Sequence, residues 1–461
     1  MVKQSAPLVI CGAGIAGISA AYHMAVVHGM RDVVLVDERP PLSLTSDKST
    51  ECYRNWWPGP GDAMVALMNR SIDILESLAR QSGNAFHLNR RGYLFATAEE
   101  GRISDFRQAG EEAEALGAGP LRMHSGNPHD PPYQPAPAEG FEEQPTGADL
   151  ITDQRLIRQH FPYLTPKTIA VIHARRCGWF SAQQLGALML QRAREHGVRV
   201  LQAHVQEVAV ARGRVQGVRL AAGEGPSFIA TGRFVAAPGP LLKEMGMILG
   251  VELPVFCELH FKVAFNDQQG VIPRHAPLVI WTDAQRLPWN NEERAFLNSD
   301  PATHYLLQEF PAGVHTRPEG PGDSPVVLIL WTYRLDPVKP VFPPPLDDPI
   351  YPEVALRGLA TAIPGLQCYL QRMPKLRVDG GYYTKTTENR PFIGPLPIEG
   401  AYVLGALSGF GLMASPAAGE LLAAHITGAH LPPYAGWFAL QRYKDPSYQE
   451  LLRTWESTGQ L

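Results

Sequence analysis

The run Leu8-Val9-Ile10-Cys11-Gly12-Ala13-Gly14-Ile15-Ala16-Gly17 restricts the possible folds of this chain more than any other segment. An apolar strand precedes the three glycines and a helical stretch, Ile15 to about Val27, follows them. A second apolar run, Val33-Val34-Leu35-Val36, then ends in Asp37-Glu38-Arg39. Each glycine has a separate role in such a unit. Gly12 allows the tight turn, Gly14 lets the backbone approach a pyrophosphate, and Gly17 lets the helix lie close to the sheet. The helix start presents unpaired N–H groups and the positive end of its dipole to the phosphates. Asp37 lies 20 residues beyond Gly17, where a carboxylate accepts hydrogen bonds from a ribose 2′-OH. The unit predicts a Rossmann-type domain holding an adenine dinucleotide along Gly12, Ala13, Gly14, Ile15, Ala16, Gly17, Asp37, Glu38 and Arg39. The acidic end disfavours a 2′-phosphate.

A second strand, glycine turn and helix start stand near the C-terminus. Ala401-Tyr402-Val403-Leu404-Gly405 leads through Gly409 and Gly411 to Leu412-Met413, and a helical pattern runs from Pro416 to about Ile426. Proline suits a first helical turn, where its missing N–H is not needed. A second helix N-terminus aimed at the ligand is unexplained by NAD alone. It suits a flavin, whose reduced ring carries negative charge that a positive helix end stabilises.

The segment Gly380-Gly381-Tyr382-Tyr383-Thr384-Lys385-Thr386-Thr387-Glu388-Asn389-Arg390-Pro391-Phe392-Ile393-Gly394-Pro395 resembles the late motif of the D-amino-acid oxidase / sarcosine oxidase superfamily of FAD-dependent oxidoreductases. The Gly405 to Gly419 stretch is similar to that family's flavin-closing strand, loop and helix. Phe234-Val235-Ala236-Ala237-Pro238-Gly239-Pro240 is similar to another family strand, without the usual following aromatic residue. The likeness runs through nearly the whole chain, closest to the sarcosine and glycine oxidase branch. It implies FAD contacts at Ala237, Gly239 and Val205, the last beside the adenine.

The resemblance also implies site residues. In Lys48-Ser49-Thr50-Glu51-Cys52-Tyr53-Arg54, the arginine matches one that binds the substrate carboxylate. A planar guanidinium offers the bidentate fork this needs, although an arginine there also suits a structural ion pair. Ser46, Ser49 and Thr50 are candidate donors to pyrophosphate or flavin oxygens, or turn formers. Tyr383 matches an active-site tyrosine of the branch, with Tyr382 beside it. Gly381 stands where monomeric sarcosine oxidases carry the flavin-linking cysteine, which implies non-covalent FAD. Leu412-Met413 replaces a second, lysine clamp of those enzymes, which favours a larger or more apolar amine. No clear match exists for their oxygen-activating lysine.

The resemblance therefore implies oxidation of the C–N bond of a small secondary amine or amino acid, with hydride passing to flavin N5. Oxygen or an electron-transfer partner would reoxidise the flavin. Two alternatives remain at this stage: oxidation of a hydroxy acid or glycerol phosphate, and a non-catalytic flavoprotein assembly factor.

The rest of the sequence sets the domain plan. A chain of 461 residues, 45% hydrophobic, supports about two domains. A net charge of −4 argues against a nucleic-acid surface. No apolar run reaches the ~18 residues needed to span a bilayer. The five scattered cysteines make no metal or CxxC spacing and read as buried thiols of a cytoplasmic protein. The helical period predicts a helix over Asp62 to Gln81, and Gly92 to Thr97 reads as a strand entering a second domain. Residues 125–145, rich in Pro and Gly, read as a surface excursion or an ordered loop over the active site. From about Gly250 the pattern is antiparallel. Leu259, Phe261, Val263 and Phe265 alternate with His260, Lys262 and Ala264, so His260 faces either cavity or solvent. Tyr305 to Phe310 and Val326 to Tyr333 read as strands, and Asp347 to Ile363 as a helix. The expected architecture is α/β, α+β overall. A Rossmann-type FAD-binding domain (1–91, 150–245, 375–461) is interleaved with an antiparallel-sheet substrate domain (92–149, 246–374).

Overall fold

The computed structural model describes residues 4–221, 227–320, 322–334 and 336–455. The glycine unit starts a six-stranded sheet ordered Arg199–Gln202, Val34–Asp37, Val9–Cys11, Phe234–Ala236, Ala401–Gly405, Phe392–Pro395. The first five strands are parallel and the last antiparallel. Near-continuous Val, Ile and Leu runs fit strands covered on both faces. The glycine spacing is sterically enforced. A Cβ on Gly17 would fall 1.8 Å from the Gly12 carbonyl oxygen. Gly12, at φ +107°, leaves only 2.1 Å between such an atom and the Ala237 carbonyl oxygen. Helices Ile15–Tyr22 and Gly411–Thr427 pack together, with Gly419 against Ser19.

A four-stranded sheet containing Val205–Ala211 sits beside this unit. The larger, ten-stranded sheet contains Tyr93–Thr97, Phe256–Asn266, Leu278–Trp281 and Val326–Leu330. Two strands assigned by sequence to the cofactor part pair within it. Ala170–Ala174 lies against Tyr93–Thr97, and Arg377–Lys385 against Phe256–Asn266. The small pair Cys52–Arg54 and Cys177–Trp179 stands apart from these sheets.

Local differences from the sequence reading have physical causes. The first helix is α-helical only over Ile15–Tyr22, and His23–Val27 forms a π turn closed by His28 N–H to the His23 carbonyl. Pro416 is not in a first turn, because the helix already begins at Gly411. Its missing N–H would have bonded the Leu412 carbonyl, and the next rung is bridged from a neighbouring helix. The Ser71 hydroxyl donates to the Met413 carbonyl and accepts from Ala417 N–H. Tyr305 to Leu307 belongs to a 3₁₀ turn, His304–Leu307, and only Glu309–Phe310 is strand; a short apolar alternation does not separate the two. The strand from Val326 ends at Leu330, and the later helix is Tyr351–Ala362. Four cysteines are buried, but Cys368 is exposed. The 125–145 segment is tied down by Tyr133 to His173 (2.9 Å), Arg175 to the Gln134 carbonyl (2.8 Å) and buried Phe141. No helix among the described residues is long and apolar enough to cross a membrane.

Candidate active site

Three chambers join end to end between the two large sheets. The first holds Glu38, Arg39 and Val205 together with Gly12 and Asp37. It shares Gly12, Asp37, Leu44 and Pro238 with the second, which adds Gly14, Ile15, Ala16, Ser46, Ser49, Ala237, Gly239, Tyr382, Tyr383, Gly409, Gly411 and Leu412. The second shares Tyr383 and Gly409 with the third, which holds Thr50, Arg54, His260 and Met413. The candidate residues named from sequence thus converge on one continuous cavity, except Ala13 and Gly17, which shape the turn behind its wall. Among the described residues, none of 125–145 lines these chambers.

The first two chambers suit a flavin dinucleotide. Helices Ile15–Tyr22 and Gly411–Thr427 both start at the cavity without a side-chain cap. Apart from Ile15 N–H, which Ser46 Oγ holds, the helix-start N–H groups at a cavity wall are donors suited to an anion. The Ser408 hydroxyl is buried at this wall with no partner among the described residues, which leaves a polar atom for a bound group. Asp37 serves two purposes. Its carboxylate accepts from Ala13 N–H at 2.7 Å and Arg39 N–H at 2.9 Å, so it ties the glycine turn to the strand end. Ser46 Oγ accepts from Ile15 N–H at 3.0 Å, and Ser49 Oγ accepts from Glu51 N–H at 2.9 Å. Asp37 also lines the wall of both of these chambers, which leaves lone pairs that a ribose hydroxyl would suit. Glu38 is engaged by Arg39 (2.7 Å) and His204 (3.0 Å), and Arg39 also lies over Phe342.

The third chamber is different in chemistry. Its walls are largely aromatic and aliphatic: Trp57, Tyr93, Phe261, Leu330, Phe410 and Met413. Arg54 is 4% exposed, with its guanidinium 4.4 Å from the Trp57 ring centre. Burial pulls the Arg54 pKa below its ordinary value. No Asp or Glu among the described residues lines this chamber. Burial and the facing Arg54 push His315 down to about 4, so its ring is neutral at neutral pH. Tyr383 is pushed up to about 12, chiefly by burial.

His260 faces this chamber rather than bulk solvent and is 8% exposed. Its ring stacks on Tyr383 at 4.0 Å. Its Nε2 lies 2.9 Å from Glu258 Oε2 and its Nδ1 3.1 Å from Thr332 Oγ1. Lys262 bonds the Ser49 carbonyl at 2.9 Å instead of lining the cavity. Tyr382 turns its hydroxyl away to the Val341 backbone. Sequence reasoning did not single out Thr332, Glu258 or His315. Glu258 carried a signal, since it lies two residues before His260 on the same strand face.

A family profile described as FAD dependent oxidoreductase matches residues 7–425. The chain belongs to this FAD-dependent oxidoreductase family. The fold comparison agrees. L-Proline dehydrogenase from P. horikoshii superposes with a TM-score of 0.71 at 19% identity, covering 96% of this chain and 99% of that one. Glycine oxidase from Geobacillus kaustophilus gives 0.71 at 15% identity, covering 95% and 99%. Iminodiacetate oxidase from Chelativorans sp. BNC1 gives 0.66 at 19% identity, covering 94% and 98%. No curated protein matches by sequence. FAD is therefore the cofactor of this chain's family.

Proposed function

We propose that this flavoenzyme oxidises the C–N bond of an amino acid or a carboxylate-bearing secondary amine held in the third chamber. The observation that carries this reading is the buried Arg54 guanidinium in an apolar chamber contiguous with the FAD cavity. A substrate carboxylate would pair with Arg54 in two parallel hydrogen bonds. The cationic surroundings would make the neighbouring ammonium easier to deprotonate. Bound FAD supplies the two-electron acceptor. Gly12, Gly14, Asp37, Ser46, Ala237, Gly239, Gly411 and Leu412 would hold it. Beside Arg54 the chamber presents Trp57, Phe261, Leu330 and Phe410. Met413 at its wall supports an apolar substituent, since methionine adapts to varied shapes. The named amino-acid and amine substrates of the fold relatives agree with this class. We assign cofactor binding to segments 1–91, 150–245 and 375–461 except Ala170–Ala174 and Arg377–Lys385, which pair in the substrate sheet.

An anaerobic screen of flavin bleaching with amino acids, secondary amines and hydroxy acids tests the reading. Bleaching by amino acids with release of ammonia or a primary amine is the expected result. Bleaching only by hydroxy acids, with no nitrogen released, would overturn it.

A further inference from the structure

The hydrogen bonds around His260 fix where its protons are. Burial would raise the Glu258 carboxyl, but bonds from His260 and from Lys385 Nζ (3.0 Å) hold it below the usual carboxylate value. A carboxylate only accepts, so Nε2 carries the hydrogen of the neutral imidazole. Nδ1 is then a lone pair, and it accepts the Thr332 hydroxyl hydrogen. Thr332 and His260 both line the chamber that holds Arg54. In the order hydroxyl, imidazole, carboxylate, the imidazole takes the hydroxyl's proton while the carboxylate fixes the ring's tautomer and stabilises the imidazolium.

We propose that Thr332, His260 and Glu258 form a proton relay that takes the proton from the substrate ammonium before oxidation. The inference rests on the amine reading above. In the step, an ammonium N–H bond breaks and its proton goes to Thr332 Oγ1. The hydroxyl's own hydrogen moves to His260 Nδ1. The electron pair of the broken bond stays on nitrogen as the lone pair that C–N oxidation requires. No electrons are transferred, and the substrate's positive charge now resides on an imidazolium paired with Glu258. Thr332 touches the substrate in this scheme, while Glu258 and the stacked Tyr383 ring are positioning groups. Burial lowers the His260 pKa although Glu258 raises it, so the ring is an unprotonated acceptor at neutral pH. The other charged or titratable groups facing it are Lys385, Tyr383, His315, Arg54, Tyr93 and Cys52, with Arg334, Asp336, Asp348, Tyr333 and Tyr351 in an adjoining chamber. The cations among them also favour the neutral amine.

The test is anaerobic flavin reduction by the holoenzyme from pH 6 to 10, with the best amino acid from the screen. General acid–base groups contribute about 10²-fold or more. Thr332→Val and His260→Asn should therefore lose roughly a hundredfold in reduction efficiency at pH 7. The deficit should shrink steadily toward pH 10, where free amine is supplied by solvent, and Thr332→Ser should recover most of the rate. FAD occupancy should be unchanged. Independently, ¹⁵N histidine NMR of the wild-type holoenzyme, with His260 assigned by loss of its signal in His260→Asn, should show the Nε2–H tautomer. A deficit of equal size at every pH, or an Nδ1–H tautomer, would overturn the relay. A wild-type flavin that no amine or amino acid bleaches would instead overturn the amine reading, while the NMR result still judges the hydrogen-bond assignment.

Discussion

Replacing Arg54 by leucine separates a substrate clamp from a structural arginine. The guanidinium is 4% exposed and lies in a chamber whose other lining groups are neutral in the range where histidine is unprotonated. A carboxylate bound there is desolvated and meets no second cation among the described lining residues, because Met413 occupies the other candidate position. Removing one partner of a buried charge pair costs about 2–5 kcal/mol. At a factor of ten per 1.4 kcal/mol, kcat/KM on acidic substrates should fall by roughly 30-fold to 4,000-fold. Leucine fits the apolar walls, and Arg54 is not in the lining of the dinucleotide chambers. FAD content per polypeptide, read from absorbance, should therefore match wild type. Uncharged amines of similar size should lose less than about threefold, since the deleted interaction is electrostatic. Steady-state kinetics on a matched pair, an amino acid and its amide, gives the decisive ratio. Equal losses on both members, or loss of FAD, would refute the reasoning and make Arg54 a structural residue.

The glycine at 381 predicts that acid precipitation releases intact FAD to the supernatant, since no cysteine among the described residues lines the second chamber; flavin retained on the pellet would contradict this. Asp37→Ala removes both the tie to Ala13 N–H and a ribose acceptor. FAD affinity, measured by flavin fluorescence titration, should weaken by at least about tenfold, with activity restored by excess FAD. Acid stability should follow three buried histidines, His23 at about 4, His173 at about 3 and His315 at about 4, all lowered chiefly by burial. Below the ordinary value of 6.5 the unfolded chain takes up protons that the folded chain refuses, so stability is lost as pH falls from about 6.5 toward 4. Urea midpoints should drop across that window, and His23→Leu should flatten the slope; an unchanged slope would show that His23 is protonated in the folded state.

The cofactor half of the site was legible in the sequence because its parts are local. Gly12, Gly14, Gly17 and Asp37 fall within 26 consecutive residues, and the clash that requires Gly17 is with the Gly12 carbonyl oxygen in the same turn. The late motif is local too, and the structure gives its Glu388 a packing role, since Arg442, Tyr443 and Tyr448 all bond its carboxylate. The substrate half was legible only in pieces. His260 meets Thr332 across 72 positions, and Glu258 meets Lys385 across 127. No local pattern distinguishes a strand face turned to solvent from one turned to a cavity. Pro416 was misplaced for the same reason, since the hydroxyl that tolerates it inside a helix comes from Ser71, 342 positions before the Met413 carbonyl it bonds.

The two halves of the site also differ in what they are made of, and this bears on how the fold relates to substrate. The two dinucleotide chambers are built largely from glycine turns, two helix starts and strand ends. Such a cradle tolerates almost any side chain that does not collide with it, as a Cβ would at Gly12 or Gly17. That explains how chains 15–19% identical share the fold over more than nine-tenths of their length. The third chamber is lined by side chains such as Arg54, His260, Thr332 and Met413. On the proposed reading, substrate choice would follow from Arg54, His260, Leu330, Thr332 and Met413 rather than from the fold. Substitutions at Leu330 and Met413 should shift which amine is accepted, those at Arg54 should decide whether a carboxylate-bearing substrate is favoured, and those at Thr332 should set the rate at neutral pH.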